Sequence, residues 1–217
     1  MVTTTAQVHV VRDGPAWAWI AADSLTDTLA EHPLVTGWLT PGGTVQPLTG
    51  DVALLVESAV ATGGALVLED RGGVLAWTTA PAGLSRVAAT RRAVVDPGYA
   101  RRWAQLEDAL HSTVPAGTAG QLLLILAVAG TGVPAGRRAL ALFARYHHHL
   151  DAARAAAHTA AFDGDLVRLL RACGWVAERQ RTLPGGLAWW PLHRLPAPTP
   201  PSGQVARYGP ANSEPVR

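Results

Sequence analysis

The 217-residue sequence has no lysine, one cysteine (Cys173), one methionine and only two phenylalanines. Without lysine there is neither a Schiff-base nucleophile nor a P-loop lysine to hold a phosphate. A lone cysteine excludes an intramolecular disulfide. The longest strongly apolar run, Leu122 to Ala129, is far short of the ~20 residues needed to span a bilayer. Met1 to Ala6 has neither the basic nor the apolar region of a secretory signal. The expectation is a cytoplasmic protein with no membrane partner. Charge is also sparse: 18 arginines against 16 acidic residues leave +2, scattered in pairs. That distribution makes no polyanion-binding face, so no nucleic-acid partner is expected.

What is abundant is apolar surface, 48% of the residues, together with 22 Gly and 16 Pro. Rich Ala, Gly, Pro and Arg with no Lys fits the codon bias of a high-GC bacterial genome as well as it fits any functional demand. The proline-dense stretch from Pro196 cannot pair in a sheet or continue a helix. The chain therefore divides into one domain, 1–195, and a flexible tail, 196–217.

Along that domain, Gln7 to Val11 has the β-rich look of a strand. Asp23 to Asp27 offers N-cap residues for a helix that Pro33 limits. Asp51 to Thr62 is helical by its spacing and ends at Gly63-Gly64, as a C-capped helix does. Ala65 to Glu69 and Val74 to Thr79 flank Asp70-Arg71-Gly72-Gly73, a hairpin signal. A helix is expected from Pro97 to Leu110 and a buried strand from Gln121 to Val128. A Gly/Pro loop then leads to a helix from Arg137 to Leu150. A strand at Ala156 to Ala161, a helix from Asp163 to Cys173 and strands at Trp175 to Arg181 and Leu187 to His193 complete the pass. Helices interleaved with strands in this order predict an α/β (α+β) fold with at least one parallel pair.

The order of elements and several local phrases resemble the GNAT (GCN5-related N-acetyltransferase) superfamily over most of residues 8–194. The phrases are His32 to Pro41, Val67 to Trp77, Leu169 to Trp175 and Trp190 to Arg194, and the likeness is to bacterial members. The resemblance implies a twisted mixed β-sheet flanked by helices, with parallel strands 4 and 5 splayed into a cleft for acetyl-CoA. It also implies a loop after strand 4 whose backbone N–H groups hold the pyrophosphate. That role falls on Val128, Gly130, Thr131, Gly132, Val133, Ala135, Gly136, Arg137 and Arg138.

Two positions depart from the pattern. Pro134 removes a backbone donor from the loop in either register. Leu170 stands where the family usually places a tyrosine that protonates the departing thiolate, and leucine has no proton to give.

Among ionisable residues, His158 on the fifth strand is a candidate base near pH 7, or else a histidine satisfied at a strand edge. Glu31 and His32 fall in the segment that contacts acceptors in the family, or simply end the first helix. Trp38, Trp190 and His193 are candidates for an acceptor pocket. Trp189 and Trp190, adjacent on a strand, must face opposite sides. His147-His148-His149 point about 100° apart on a helix, so they cannot converge on a metal, and no metal is expected.

The expectation is an acyltransferase moving an acetyl group from acetyl-CoA to an amine of a small-molecule substrate. The alternative is a divergent GNAT fold that no longer uses acetyl-CoA and binds, or transforms, a hydrophobic small molecule. A homodimer through the Trp-rich C-terminal strands is a further expectation.

Overall fold

The computed structural model describes residues 8–11, 26, 29–42, 46–79, 96–118, 120–128, 130 and 132–197. The expected cap residues Asp23 to Leu25 and Asp27, loop residues Ala129 and Thr131, and tail residues 198–217 lie outside this set.

The elements run β1 (Val8–Val11), a π-helical segment (Leu34–Leu39), α1 (Gln46–Thr62), β2 (Gly63–Leu68), β3 (Gly73–Thr79) and α2 (Pro97–His111). They continue with β4 (Gln121–Val128), α3 (Gly132–Ala153), β5 (Ala157–Ala161), α4 (Gly164–Ala172), β6 (Val176–Ala177), β7 (Arg181–Thr182) and β8 (Ala188–Arg194). One sheet takes the order β1-β2-β3-β4-β5-β8-β6, with β7 also on β8. Its pairs are antiparallel except β4–β5. Among the described residues no helix is long and apolar enough to cross a membrane.

Strand alternation builds two cores, one on each face. Ala65 and Val67 of β2 and Val74 and Ala76 of β3 face one side, with Val52, Val56 and Trp103 from α1 and α2. Leu66, Leu68, Leu75 and Trp77 face the other, with Leu142, Phe143 and Tyr146 of α3 and Leu170 of α4. The period of two in the strands against 3.6 in the helices puts these side chains face to face. Trp189 and Trp190 divide as expected, Trp189 into the first core and Trp190 against the second.

The boundaries differ from expectation in instructive places. Helix α1 begins five residues earlier, and Gly63-Gly64 are the first residues of β2 rather than a helix cap. A Cβ at Gly63 would collide with the Trp77 carbonyl, and one at Gly64 with the Trp77 indole. Helix α3 begins at Gly132, so Pro134 lies in its first turn, where a missing N–H breaks no intrahelical bond. The expected strand from Trp175 to Arg181 resolves into the two short strands β6 and β7. The β2–β3 turn is as expected: Arg71 takes a left-handed φ of 56°, and the Gly72 N–H donates to Asp70 Oδ1 at 2.8 Å.

Candidate functional site

Strands β4 and β5 pair at two positions only, Gln121 with Ala157 and Leu122 with His158. Both strands then run on, β4 for six more residues and β5 for three, without pairing to each other. They separate toward their C-terminal ends, the side on which open α/β sheets bind ligands. Opposite β3, the register of β4 jumps: Ala76 pairs with Ile125, but Trp77 pairs with Leu123. Leu124 is thus the extra residue of a β-bulge, a device that re-aims backbone groups beside active sites.

A cavity of about 170 Å³ occupies the gap. Because the strands part there, it takes its walls from both cores: Val52 and Leu106 on one side, Phe143 and Leu170 on the other, with Leu124 of β4 and Ala160 of β5 between. The lining includes four polar side chains among the aliphatic and aromatic ones: His32, Glu107, Thr159 and Asp163. The Thr159 hydroxyl donates to the Leu123 carbonyl across the split at 3.1 Å. Glu107 Oε1 accepts from Trp103 Nε1 at 2.6 Å, one helical turn away.

His32 and Asp163 meet at this cavity from 131 residues apart. The Leu34 N–H donates to His32 Nδ1 at 3.1 Å, so the proton of the neutral ring resides on Nε2. That Nε2–H faces Asp163 Oδ2 at 3.4 Å. Asp163 is also the N-cap of α4, its Oδ1 accepting from the Leu166 N–H at 2.7 Å. The hydrogen bond from His32 and the backbone N–H of Leu166 hold its carboxyl below the usual carboxylate range against the opposing effect of burial. The result is a carboxylate ionised at neutral pH beside an apolar cavity.

The connection after β4 has two glycines in left-handed conformations at the start of a long helix. Gly130 and Gly132 take φ of +84° and +67°, conformations that other residues rarely adopt. The first turn of the 22-residue α3 opens there, with Val133 exposed, Ala135 buried and Gly136 half-buried. Arg137 is exposed and has no ion pair among the described residues. Arg138 is engaged by Asp70, at 2.6 Å from Nη2. Val128 pairs with Gly73 at the end of β4 and packs against the second core.

The other candidates stand apart from the cavity. His158 lies at the closed apex of the split, opposite Leu122, rather than at its open end. It is 5% exposed, and among the described residues neither ring nitrogen makes a hydrogen bond of normal geometry. Burial, then the charge of His193, lower its pKa and keep it neutral. His193 sits across from it with ring centroids 6.4 Å apart. Glu31 is exposed and does not line the cavity. Trp38 is buried in the first core and donates from Nε1 to the Pro184 carbonyl at 2.9 Å.

The three consecutive histidines diverge, as their helical spacing requires. His147 accepts from Trp175 Nε1 at 3.0 Å, His149 contacts the Gln121 amide at 3.0 Å, and His148 is exposed. No cluster of three metal-binding side chains exists among the described residues.

Sequence reading left Asp163 without a role. Its capping position before Gly164-Asp165-Leu166 is a local signal. Its partnership with His32 is tertiary and has no local trace.

Comparison with solved structures bears on the split sheet. The chain superposes on an acetyltransferase of Corynebacterium glutamicum described as related to histone acetyltransferase HPA2, with a TM-score of 0.58, 16% identity, and 88% of this chain and 98% of that one covered. The chain has the GNAT fold. It is likewise similar to arylalkylamine N-acetyltransferase 2 of Aedes aegypti (TM-score 0.58, 11% identity, 87% and 99% covered). A Drosophila melanogaster polyamine N-acetyltransferase aligns with a TM-score of 0.52 and 13% identity over 87% and 100%. No protein-family model matches the sequence, and no curated protein matches it. The β4–β5 split falls where the sequence resemblance anticipated it, whereas the expected loop from Ala129 to Gly136 is shorter, because α3 begins at Gly132.

Proposed function

We propose that the protein is an acyltransferase that moves an acetyl group from acetyl-CoA to an amine of a small molecule. The observation that carries this reading is the parting of β4 and β5 after two paired residues, with the Leu124 bulge beside the gap. The parted edge of β4 leaves backbone N–H groups with no neighbouring strand, and such groups polarise a thioester carbonyl. Gly130 before α3 and Gly132, Val133 and Arg137 in its first two turns are the residues suited to the diphosphate. Pro134 has no N–H to add, and Arg138 is taken by Asp70.

In the transfer, the ammonium first gives one proton to solvent; the free amine's nitrogen then forms a C–N bond to the acyl carbon as the C–S bond breaks, and the cationic nitrogen so formed gives a second proton to water. The departing thiolate then takes a proton from water. Leu170, which lines the cavity where the resemblance expects a tyrosine, cannot supply one.

That same leucine, with Pro134 and the apolar lining, favours a second reading: a GNAT fold that has given up acetyl-CoA and binds or transforms a hydrophobic small molecule. Isothermal titration calorimetry with acetyl-CoA and CoA, beside a thermal-shift control, separates the two. Micromolar binding is expected. No binding at millimolar ligand overturns the transferase reading in favour of the second.

A further inference from the structure

The cavity is large, apolar and marked by charge of one sign. Its lining carries two carboxylates, Glu107 and Asp163, and no Arg. Glu107 is already bonded to Trp103. Asp163 uses Oδ1 to cap α4, is approached by the Asp165 backbone N–H as well, and receives on Oδ2 the longer contact from His32. A carboxylate has about four acceptor positions, so Asp163, which lines the cavity, retains acceptor capacity beyond these three donors. The volume of about 170 Å³ is slightly more than the roughly 150 Å³ of an engineered apolar cavity that accepts benzene. It therefore suits a phenyl-sized group or a chain of about six to eight carbons.

A ligand that matches both features has a hydrocarbon body and one cationic end. An acyl chain would fill the same space but gains nothing from a carboxylate, and an anionic ligand is repelled by it. We propose that the acceptor is a primary amine with an apolar body of about six to eight carbons, its ammonium held by Asp163, with His32 as the residue that positions Asp163. This deepens, and rests on, the reading of the cleft as a transfer site. His32 contributes through its fixed tautomer: the Leu34 N–H on Nδ1 directs the Nε2–H at Oδ2 of Asp163.

The test is direct binding of three probes of equal length, hexylamine, 1-hexanol and hexanoate, to the full chain by calorimetry at pH 7. Hexylamine is expected to bind at least about tenfold more tightly than hexanol, and hexanoate not to saturate. In Asp163→Asn, hexylamine is expected to fall to the affinity of hexanol while hexanol is unchanged. Asparagine also caps helices well, so the fold is retained, and an unchanged melting temperature checks this. His32→Ala is expected to narrow the amine preference, and His32→Gln, which keeps a donor, to restore part of it.

Equal affinity of hexanol and hexylamine for the natural chain overturns the proposal, as does a preference that survives Asp163→Asn. Acetyl-CoA titrated in parallel tells the two readings apart. If it fails to bind while the amine preference holds, the transfer reading falls and the amine site stands.

Discussion

Asp70 in the β2–β3 turn and Arg138 in the second turn of α3 are joined through two nitrogens, Nη2 at 2.6 Å and Nε at 3.1 Å from the same oxygen. The Gly72 N–H fixes the carboxylate from its other oxygen. A Cβ at Gly72 would press against the Arg138 side chain, so the turn glycine leaves room for the pair. Of the two adjacent arginines at the start of α3, Arg138 is held in an ion pair and Arg137 is exposed.

Arg137→Ala is therefore expected to weaken CoA binding about three- to tenfold and to flatten its salt dependence. Arg138→Ala should lower the melting temperature by a few degrees with a smaller effect on CoA. Calorimetry at two salt concentrations, beside thermal melts, reads both. Equal loss of CoA affinity in the two variants would contradict the division of labour.

His147 is half-buried and accepts from Trp175, and burial, then the charge of Arg194, lower its pKa to about 4. Its ordinary value is about 6.5. Between those values the unfolded chain binds more protons than the folded one, so stability falls as pH drops from about 6.5 toward 4. Urea midpoints are expected to decline over that window, and less steeply in His147→Gln. The His147 ring resonances should titrate near pH 4; a midpoint near 6.5 would refute the claim.

Gly63→Ala places a methyl group against the backbone carbonyl of Trp77, which cannot rotate away. The expected loss is about 2–3 kcal/mol, in the range of core overpacking. A urea midpoint unchanged from the natural chain would sink this expectation.

Leu170→Tyr introduces a phenol into the cavity wall. If acetyl transfer occurs there, the added acid is expected to raise kcat by about tenfold or more, within the usual range of general-acid catalysis. Hexylamine should bind more weakly, because the ring occupies part of the space. Steady-state kinetics and calorimetry on one preparation read both effects, and an unchanged kcat would show that thiolate protonation is not limiting.

Much of the fold was legible because its signals are local. The Asp70–Gly73 turn, the Asp96-Pro97 start of α2, the Asp163 cap and the apolar run of β4 each follow from neighbouring residues. Misplaced boundaries had tertiary causes. Gly63-Gly64 reads as a helix end in sequence but is a strand start, because the indole and carbonyl of Trp77 occupy the space a side chain would need. Pro134 reads as a loop residue, yet the first turn of a helix accepts it.

The candidate site was legible only in pieces. His32 could be singled out, and so could the missing tyrosine at Leu170, but His158 looked better placed than it is. One register position decides that: paired with Leu122, it falls where the strands still touch. By itself the sequence determined the order of elements, the alternation that makes two cores, and the absence of lysine and of a second cysteine. The tertiary structure alone decided where β4 and β5 part, which arginine is taken, and that His32 meets Asp163. The last two are contacts between residues 68 and 131 positions apart, and no local periodicity encodes them, since only packing brings such side chains within reach.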